Sequence, residues 1–126
     1  MDDPGLAIVL WAAGADDALA AATPFVFAAA SAALDHPVEV LFTSRSVRLL
    51  VDGVAQGAAT PGAAYTTLYG FMQAAHTAGA RFHACSMALT SFVVEGEVLI
   101  AEHDGVRNVT AVIAGALEHG RRMLVF

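Results

Sequence analysis

Charged side chains are scarce in this chain, and lysine is absent altogether. Charged residues make up 14% of the 126 residues, whereas an ordinary soluble domain carries about 25%. The six basic residues are all arginines, and the twelve Asp and Glu residues bring the formal net charge to -6. Binding to nucleic acid or to an anionic membrane surface depends on clustered positive charge. The composition therefore argues against both kinds of partner.

Cysteine is almost as rare, since Cys85 is the only one. A single cysteine excludes an intramolecular disulfide, a Cys-x-x-Cys redox pair and a zinc site built on paired cysteines. This usage is typical of a reducing compartment. The first residues, Met1-Asp2-Asp3-Pro4, lack the basic start of a secretory signal. We therefore expect a cytoplasmic protein.

Several familiar site motifs are missing as well. The turn after the first apolar run, residues 12–15, has one glycine rather than Gly-x-Gly-x-x-Gly, and the chain has no Gly-Lys-Ser phosphate loop. It also lacks the Gly-x-Ser-x-Gly elbow of serine hydrolases. His83 and Cys85 alone are a weak signal for a metal site. These absences predict a protein without a nucleotide cofactor or a metal.

Apolar residues are abundant, at 57% of the chain. A length of 126 residues provides for one hydrophobic core, so we expect a single domain over residues 1–126. A small domain with so few charges leaves apolar surface exposed unless copies of the chain cover it, which predicts a homo-oligomer. The uncharged segment 18–34 does not predict a membrane span, because it is mostly alanine and contains Thr23-Pro24.

Strand and helix patterns alternate along the chain. The first helix has an alternative, in which Thr23 caps a second helix that has Pro24 in its first turn. Runs of strand length lie at 6–11, 38–42, 81–85 and 123–126, with 98–100 as either a short strand or a turn. Periodicity and end signals predict helices over 16–34, 63–78, from 86 onwards and over 106–119.

This alternation predicts an α/β fold with three layers, in which a mainly parallel sheet of about five strands lies between helices. Residues 56–62 combine Gly, Ala and Thr60-Pro61, and they predict a flexible loop that is the best candidate for a mobile lid. A fold of this class serves many functions. The function must therefore be argued from particular side chains.

Cys85 is the strongest candidate for a reacting group. It ends the predicted strand 81–85 and directly precedes a predicted helix. Unpaired N–H groups and the positive end of the helix dipole then lie near its sulfur, and both favour the reactive thiolate over the thiol. In open parallel sheets, ligands collect at the carboxyl ends of the strands. The sequence therefore predicts a site around Cys85.

Other polar and aromatic residues are candidates for the same site. His83 lies on the same strand face as Cys85 and can orient or deprotonate the thiol, although a histidine at a subunit contact is the alternative interpretation. Arg45, in the loop after the second strand, can supply positive charge, or it is an ordinary solvated arginine. The remaining candidates for binding are Ser44, Ser46, Trp11 and Ser86.

Three segments taken together resemble a known family. They are the helix end and strand 34–43, the strand 78–85 that ends on Cys85, and the closing residues 122–126. In this order they are similar to the DsrE/DsrF-like family of sulfur-relay proteins, and the resemblance covers nearly the whole chain.

The resemblance implies a particular role for Cys85. A member of this family is expected to be a small three-layer α/β subunit of a trimer or hexamer, whose cysteine accepts sulfur and passes it on as a persulfide, as a carrier or sulfurtransferase-like subunit. Its partners would be a sulfur-donor or acceptor protein, and members serve sulfur oxidation or transfer-RNA thiolation. The alternative is a non-catalytic α/β oligomer that binds a small molecule or a protein in the same cleft.

Overall fold

A five-stranded sheet forms the centre of the protein in a computed structural model that describes residues 3–126. The strand order is β4-β3-β2-β1-β5, and every neighbouring pair is parallel. The strands are β1 (Leu6–Leu10), β2 (Val38–Phe42), β3 (Arg81–Cys85), β4 (His103–Arg107) and β5 (Arg122–Val125). The helices are α1 (Ala18–Ala33), α2 (Leu68–Ala78), α3 (Ser86–Phe92) and α4 (Val109–His119), with 3-10 helices at Ala15–Asp17 and Ser44–Leu50.

Three phenylalanines hold α1 against one face of the sheet. The ring centroids of Phe25 in α1 and Phe42 in β2 lie 5.9 Å apart, and those of Phe25 and Phe82 in β3 lie 5.7 Å apart. All three side chains are fully buried, and each such burial stabilises the fold by about 1.5–3 kcal/mol. The helix α1 packs in turn on α2. These two helices therefore form one outer layer.

The helix α4 covers the other face. The strands β1 to β4 follow one another in one direction across the sheet, whereas β5 lies at the opposite edge, beyond β1. Right-handed connections place α4 on the face opposite to α1. Val112 and Ala116 of α4 are buried. Val109 of α4 lines the same cavity as Cys85, whose side chain lies on the opposite face of β3 from Phe82. The three-layer α/β fold predicted from the sequence is confirmed.

The first helix is continuous. It runs from Ala18 to Ala33 through Pro24, which is buried, and the side chain of Asp17 accepts a hydrogen bond from the Ala20 N–H at 3.3 Å. The alternative with a break at Thr23 is therefore wrong. Among residues 3–126, no helix combines the length and the apolar character that crossing a bilayer requires.

The sequence pattern did not predict the fourth strand, whose last two residues lie where a helix was predicted to begin. Residues His103–Arg107 form β4, and α4 begins only at Val109. The side chain of Asn108 caps this helix by accepting a hydrogen bond from the Ala111 N–H at 2.7 Å. The segment 98–100 makes an isolated antiparallel bridge between Leu99 and Val51 rather than a strand.

The second helix also begins later than the pattern predicted. It starts at Leu68 instead of residue 63, because the side chain of Thr67 accepts a hydrogen bond from the Gly70 N–H at 3.3 Å and caps the helix there. Residues 56–62 form a loop, as expected, but Thr60 is buried and donates a hydrogen bond to the Tyr65 carbonyl at 2.6 Å. This loop does not line the Cys85 cavity. Its mobility stays a prediction.

The start of α4 at the Asn108 cap can be tested by the sign of the stability change in an alanine variant. The variant N108A should lower the free energy of unfolding by about 1 kcal/mol, because the first turn of α4 loses its cap. The variant N108D should retain stability, since aspartate caps as well as asparagine. If the helix began before residue 108, alanine would instead stabilise it through its higher helix propensity. Urea unfolding of the three proteins at pH 7 decides between these outcomes.

Candidate functional site

Cys85 lies at the carboxyl edge of the sheet, where β3 passes directly into α3. The residue is buried, with 3% of its surface exposed. It nevertheless forms part of the wall of a cavity of about 310 Å³. We call this space the Cys85 cavity. The only thiol of the chain therefore borders a space with room for a small reagent.

Two segments face each other across the Cys85 cavity. One is the start of the 3-10 helix after β2, and the other is α3. The walls are largely apolar, with hydroxyl groups at Thr43, Ser44 and Ser91. The complete lining consists of Thr43, Ser44, Cys85, Met87, Ala88, Ser91, Phe92 and Val109.

Ser44 has an unusual backbone conformation in this wall. Its φ of 49 places it in the left-handed region, which non-glycine residues occupy at a cost of about 1–2 kcal/mol. The preceding residue is firmly held, because the Thr43 N–H and hydroxyl both donate to the Leu10 carbonyl, at 2.8 and 2.7 Å. Strained residues of this kind are concentrated at functional sites. The conformation of Ser44 therefore supports the interpretation of this cavity as a functional site.

Arg48 connects the 3-10 helix after β2 with the end of α3 and with the turn that follows it. Arg48, in the 3-10 helix, donates two hydrogen bonds to the Glu97 carboxylate, at 2.7 and 2.9 Å. It also donates to the Phe92 carbonyl at the end of α3, at 3.0 Å. The hydrogen bond from Arg48, with a second one from the Val94 N–H, lowers the pKa of Glu97. Arg48 and Glu97 are 49 residues apart in the sequence, so the local pattern did not reveal this contact.

The structure brings only one of the other predicted site residues, Ser44, into the lining of the Cys85 cavity. Arg45 instead forms an ion pair with Asp16. Ser46 is fully buried and donates a hydrogen bond to the Ala13 carbonyl at 2.7 Å.

Trp11 and Ser86 also lie outside this lining. Trp11 follows β1 and is exposed. Ser86 is the exposed first residue of α3, and its carbonyl accepts a hydrogen bond from the Thr90 hydroxyl at 3.3 Å. Proximity in sequence to the ends of the strands was therefore not enough to bring these side chains to the thiol.

His83 faces a second group of charges instead of the thiol. Its Nδ1 lies 3.0 Å from the Oε1 of Glu39, without the alignment of a hydrogen bond. Glu39 is 5% exposed and lies within β2. Its two carboxylate oxygens accept hydrogen bonds from Arg107 at 2.8 Å and from Arg121 at 3.0 Å. We call these four residues the Glu39 cluster.

The sequence contained one sign of this cluster. Glu39 interrupts the run Val38–Phe42, in which all other residues are apolar and every residue is buried. A carboxylate in such a strand needs a charged or hydrogen-bonding partner, because desolvation of an unpaired ion is very costly. The partners Arg107 and Arg121 lie 68 and 82 residues further along the chain. Their identity was therefore not readable from the local pattern.

The surroundings of Glu39 favour its ionised form. Burial, the largest single effect, raises the pKa of Glu39, but the His83 imidazole and the charges of Arg107 and Arg121 outweigh it. The result is a pKa below the ordinary value of 4.5. No group of three or more His, Cys, Asp and Glu side chains within residues 3–126 is arranged to hold a metal ion.

The model of the DsrE/DsrF-like family matches residues 7–126 of this chain. The chain belongs to the DsrE/DsrF-like family. The resemblance inferred from the sequence is thereby confirmed over nearly the whole length of this DsrE/DsrF-like protein. No curated protein matches it significantly in sequence.

Solved structures from three organisms share the fold of this DsrE/DsrF-like protein. A protein of unknown function from Methanobacterium thermoautotrophicum superposes with a TM-score of 0.67 at 18% identity, over 96% of this chain and 97% of the other. The ychN protein from E. coli superposes with a TM-score of 0.65 at 10% identity, over 97% of this chain and 99% of the other. A conserved protein of unknown function from Bacteroides thetaiotaomicron superposes with a TM-score of 0.58 at 14% identity, over 100% of this chain and 98% of the other.

The lowered pKa of Glu39 leads to a prediction about acid stability. At pH 7 the variant E39Q should unfold with a free energy about 1–3 kcal/mol below the wild type, because Arg107 and Arg121 lose a charged acceptor. A depressed folded-state pKa stabilises the protein fully above the ordinary value of 4.5. This stabilisation is lost as the pH falls through the folded-state pKa. The free energies of unfolding of the two proteins should therefore converge as the pH falls below the ordinary value of 4.5.

Urea unfolding of both proteins between about pH 7 and pH 2.5 measures this convergence. The matched control is E95Q, because Glu95 is exposed in the turn after α3. It should change stability by less than about 0.5 kcal/mol. A difference between wild type and E39Q that stays constant or grows on acidification contradicts the stabilising role of the ionised carboxylate.

Proposed function

We propose that this protein is a sulfur carrier, which holds one sulfur atom on Cys85 as a persulfide and passes it to an acceptor thiol. The observation that carries the proposal is the position of Cys85 in the wall of a cavity of about 310 Å³ at the carboxyl edge of β3. Membership of the DsrE/DsrF-like family supports the same function. Cys85 is also the only cysteine that such a relay can use.

The loading step needs only a thiolate and a donor persulfide. The Cys85 thiolate attacks the outer sulfur of a donor R–S–SH and forms a new S–S bond with it. The S–S bond of the donor breaks, and the donor leaves as the thiolate R–S⁻. The proton stays on the transferred sulfur, so neither an oxidant nor a reductant is consumed. In the second step an acceptor thiolate attacks the same outer sulfur, and Cys85 leaves as the thiolate.

The walls of the cavity suit a polarisable sulfur atom. Met87, Ala88 and Phe92 present apolar surface, and methionine and aromatic side chains make favourable contacts with sulfur. Such walls also limit the access of water and large thiols to the persulfide. The hydroxyl groups of Ser44 and Ser91 belong to the same lining and can donate hydrogen bonds to the outer sulfur.

The rim of the cavity suits a protein donor or acceptor. Met87 lines the cavity and is 76% exposed, and Phe92 and Val109 are also exposed in the same lining. Large apolar side chains that are exposed together next to a cavity are typical of a protein-binding surface. A partner that covers this rim would bring its own thiol to the mouth of the Cys85 cavity.

Self-assembly is part of the proposal, and α4 is the surface that supports it. Val109, Ile113 and Leu117 follow one another at four-residue spacing on the outer side of this helix, and all three are exposed. A second copy would cover this stripe, as the low charge of the chain also suggests. Val109 belongs to both the stripe and the cavity lining, so the cavity would lie beside the contact between subunits.

Sulfur loading tests the carrier function. The reduced protein is incubated with glutathione persulfide, and its intact mass is measured. The wild type should gain one sulfur atom, and dithiothreitol should remove it, because an accessible persulfide is reducible. The variant C85S should gain none while retaining the thermal stability of the fold, since serine is similar in size but a far poorer nucleophile.

A known carrier protein treated in parallel shows that the donor is active. If that carrier gains sulfur and the wild type does not, the relay function is wrong, and the binding of a ligand or partner without sulfur transfer becomes the better account. A gain of sulfur by C85S would show that Cys85 is not the acceptor.

A separate prediction about assembly concerns the exposed residues Val109, Ile113 and Leu117 of α4, which we call the α4 stripe. Light scattering at micromolar concentration should give a mass that is a multiple of the 13.0 kDa chain. The variant L117D should shift this mass towards the monomer, because it places a charge in the apolar contact. The control L34D changes a leucine that is 72% exposed at the end of α1, and it should keep the mass of the wild type.

A wild type that is monomeric at this concentration contradicts the proposed assembly. An oligomer that L117D leaves intact, while L34D dissociates it, would move the contact from α4 to the surface around the end of α1.

A further inference from the structure

A second cavity lies on the same face of the sheet as Cys85, nearer to the start of β2 and β3. Its volume is about 280 Å³. Three of the six arginines of the chain line it, although the chain has no lysine and a net charge of -6. We call it the arginine cavity. Its lining consists of Arg81, Arg107, Arg121, His83, Glu39, Pro37, Val38 and Gly79.

Glu39 does not neutralise the charge of this cavity. Three guanidinium groups face its one carboxylate within the lining. Arg81 also lies 3.5 Å from the carboxylate of Asp104. When the carboxylates of Glu39 and Asp104 are both counted against the three guanidinium groups, a net charge of +1 remains. A concave site with an excess of one charge attracts counter-ions from solution, because the low-dielectric walls focus the field.

Most of the hydrogen-bond donors in the cavity are unused within residues 3–126. A guanidinium group carries five N–H donors. Arg107 uses one of them, on Glu39, while Arg121 uses two, on Glu39 and on the Pro4 carbonyl at 2.8 Å. The Nδ1 of His83 is buried and has no hydrogen-bond partner in this part of the chain. A buried polar atom in this state favours the arrival of a hydrogen-bonding ligand.

Glu39 also pre-organises the arginines. Its Oε1 accepts from Arg107 and its Oε2 from Arg121, so each guanidinium is held on a separate oxygen of one buried carboxylate. Arginines that are ordered before a ligand binds lose little conformational entropy on binding. Their planar forks match the oxygens of carboxylates, phosphates and sulfates.

We propose that the arginine cavity binds a small divalent oxyanion, with Arg81, Arg107 and Arg121 as the recognising groups. The volume of about 280 Å³ accommodates a small ion or a small acid. The ligand can be an inorganic oxyanion or a dicarboxylate, since both present two or more charged oxygens. This proposal does not depend on sulfur transfer by Cys85.

The arginine cavity is separate from the Cys85 cavity but lies next to it in the sheet. His83 and Cys85 are two residues apart on one face of β3, about 7 Å along the strand. Arg107 is the pairing partner of Cys85 in β4. Binding of an anion to Arg107 would therefore occur beside the strand end that carries the thiol.

Calorimetric titration with sulfate, phosphate and succinate tests the proposal. The full-length wild type is titrated in a buffer of low chloride content and constant ionic strength. At least one of the three anions should bind saturably at one site per chain. The anion that binds most tightly distinguishes an inorganic ligand from a dicarboxylate.

Two arginine variants show whether binding depends on the cavity. R81A should weaken the affinity about tenfold or more, because one charged hydrogen-bond donor is lost, and it should fold normally since the side chain of Arg81 is 69% exposed. R122A is the matched control, because Arg122 is the exposed neighbour of Arg121 and does not line the cavity. It should change the affinity less than about twofold, since remote charges are screened.

A third variant reverses the sign of the effect. E39Q removes the negative charge of Glu39 but keeps an amide oxygen that can still accept from one arginine. The gain in net positive charge should outweigh the lost order of the arginines and tighten the binding of the same anion several-fold. The proposal is overturned if none of the three anions binds the wild type below about 10 mM, which is weaker than an ordinary specific site. Equal weakening by R81A and R122A would overturn it too, because that result indicates a general charge effect. Weaker binding by folded E39Q would contradict the electrostatic argument.

Discussion

The parallel pairing of β2 with β3 is the constraint on which both cavities depend. Leu41 pairs with His83 and Phe42 with Ala84, so the two strands end side by side. The pairing directs His83 and Cys85 to one face and Phe82 to the other. A shift of the register by one residue would exchange these faces and bury the polar groups among the phenylalanines. The aromatic contacts of Phe25, which need Phe42 and Phe82 on the same side, stabilise the register that exposes the thiol to its cavity.

The buried carboxylate of Glu39 adds a second condition to the same pairing. An ionised group in the middle of a sheet is tolerated only if its partners are in place. These partners come from β4 and from the turn before β5, which are distant along the chain. The charge contacts therefore tie the second half of the chain to β2. In this protein one carboxylate both orders the arginines and leaves most of their donors free for another acceptor.

The sequence predicted much of the fold because four of the five strands are short apolar runs or end on a distinctive residue. The exception is β4, whose charged residues Asp104 and Arg107 find their partners on other strands of the sheet. Asp104, for example, accepts from the Phe82 N–H at 2.8 Å. Cys85 was also recognisable, since it is the only thiol and it ends a strand. The residues around the cavity were not recognisable, because side chains near the strand ends pair with groups that are distant in sequence. Arg45, for example, pairs with Asp16.

Sulfur transfer through Cys85 requires access to a residue that is 3% exposed. The most direct test is the rate at which native Cys85 reacts with a small alkylating reagent at neutral pH, compared with the rate in urea. The account predicts that the native thiol reacts with iodoacetamide through its cavity, and that prior loading with sulfur prevents direct alkylation of Cys85 Sγ. A thiol that stays inert until the chain unfolds would contradict it, because a buried structural cysteine behaves in that way.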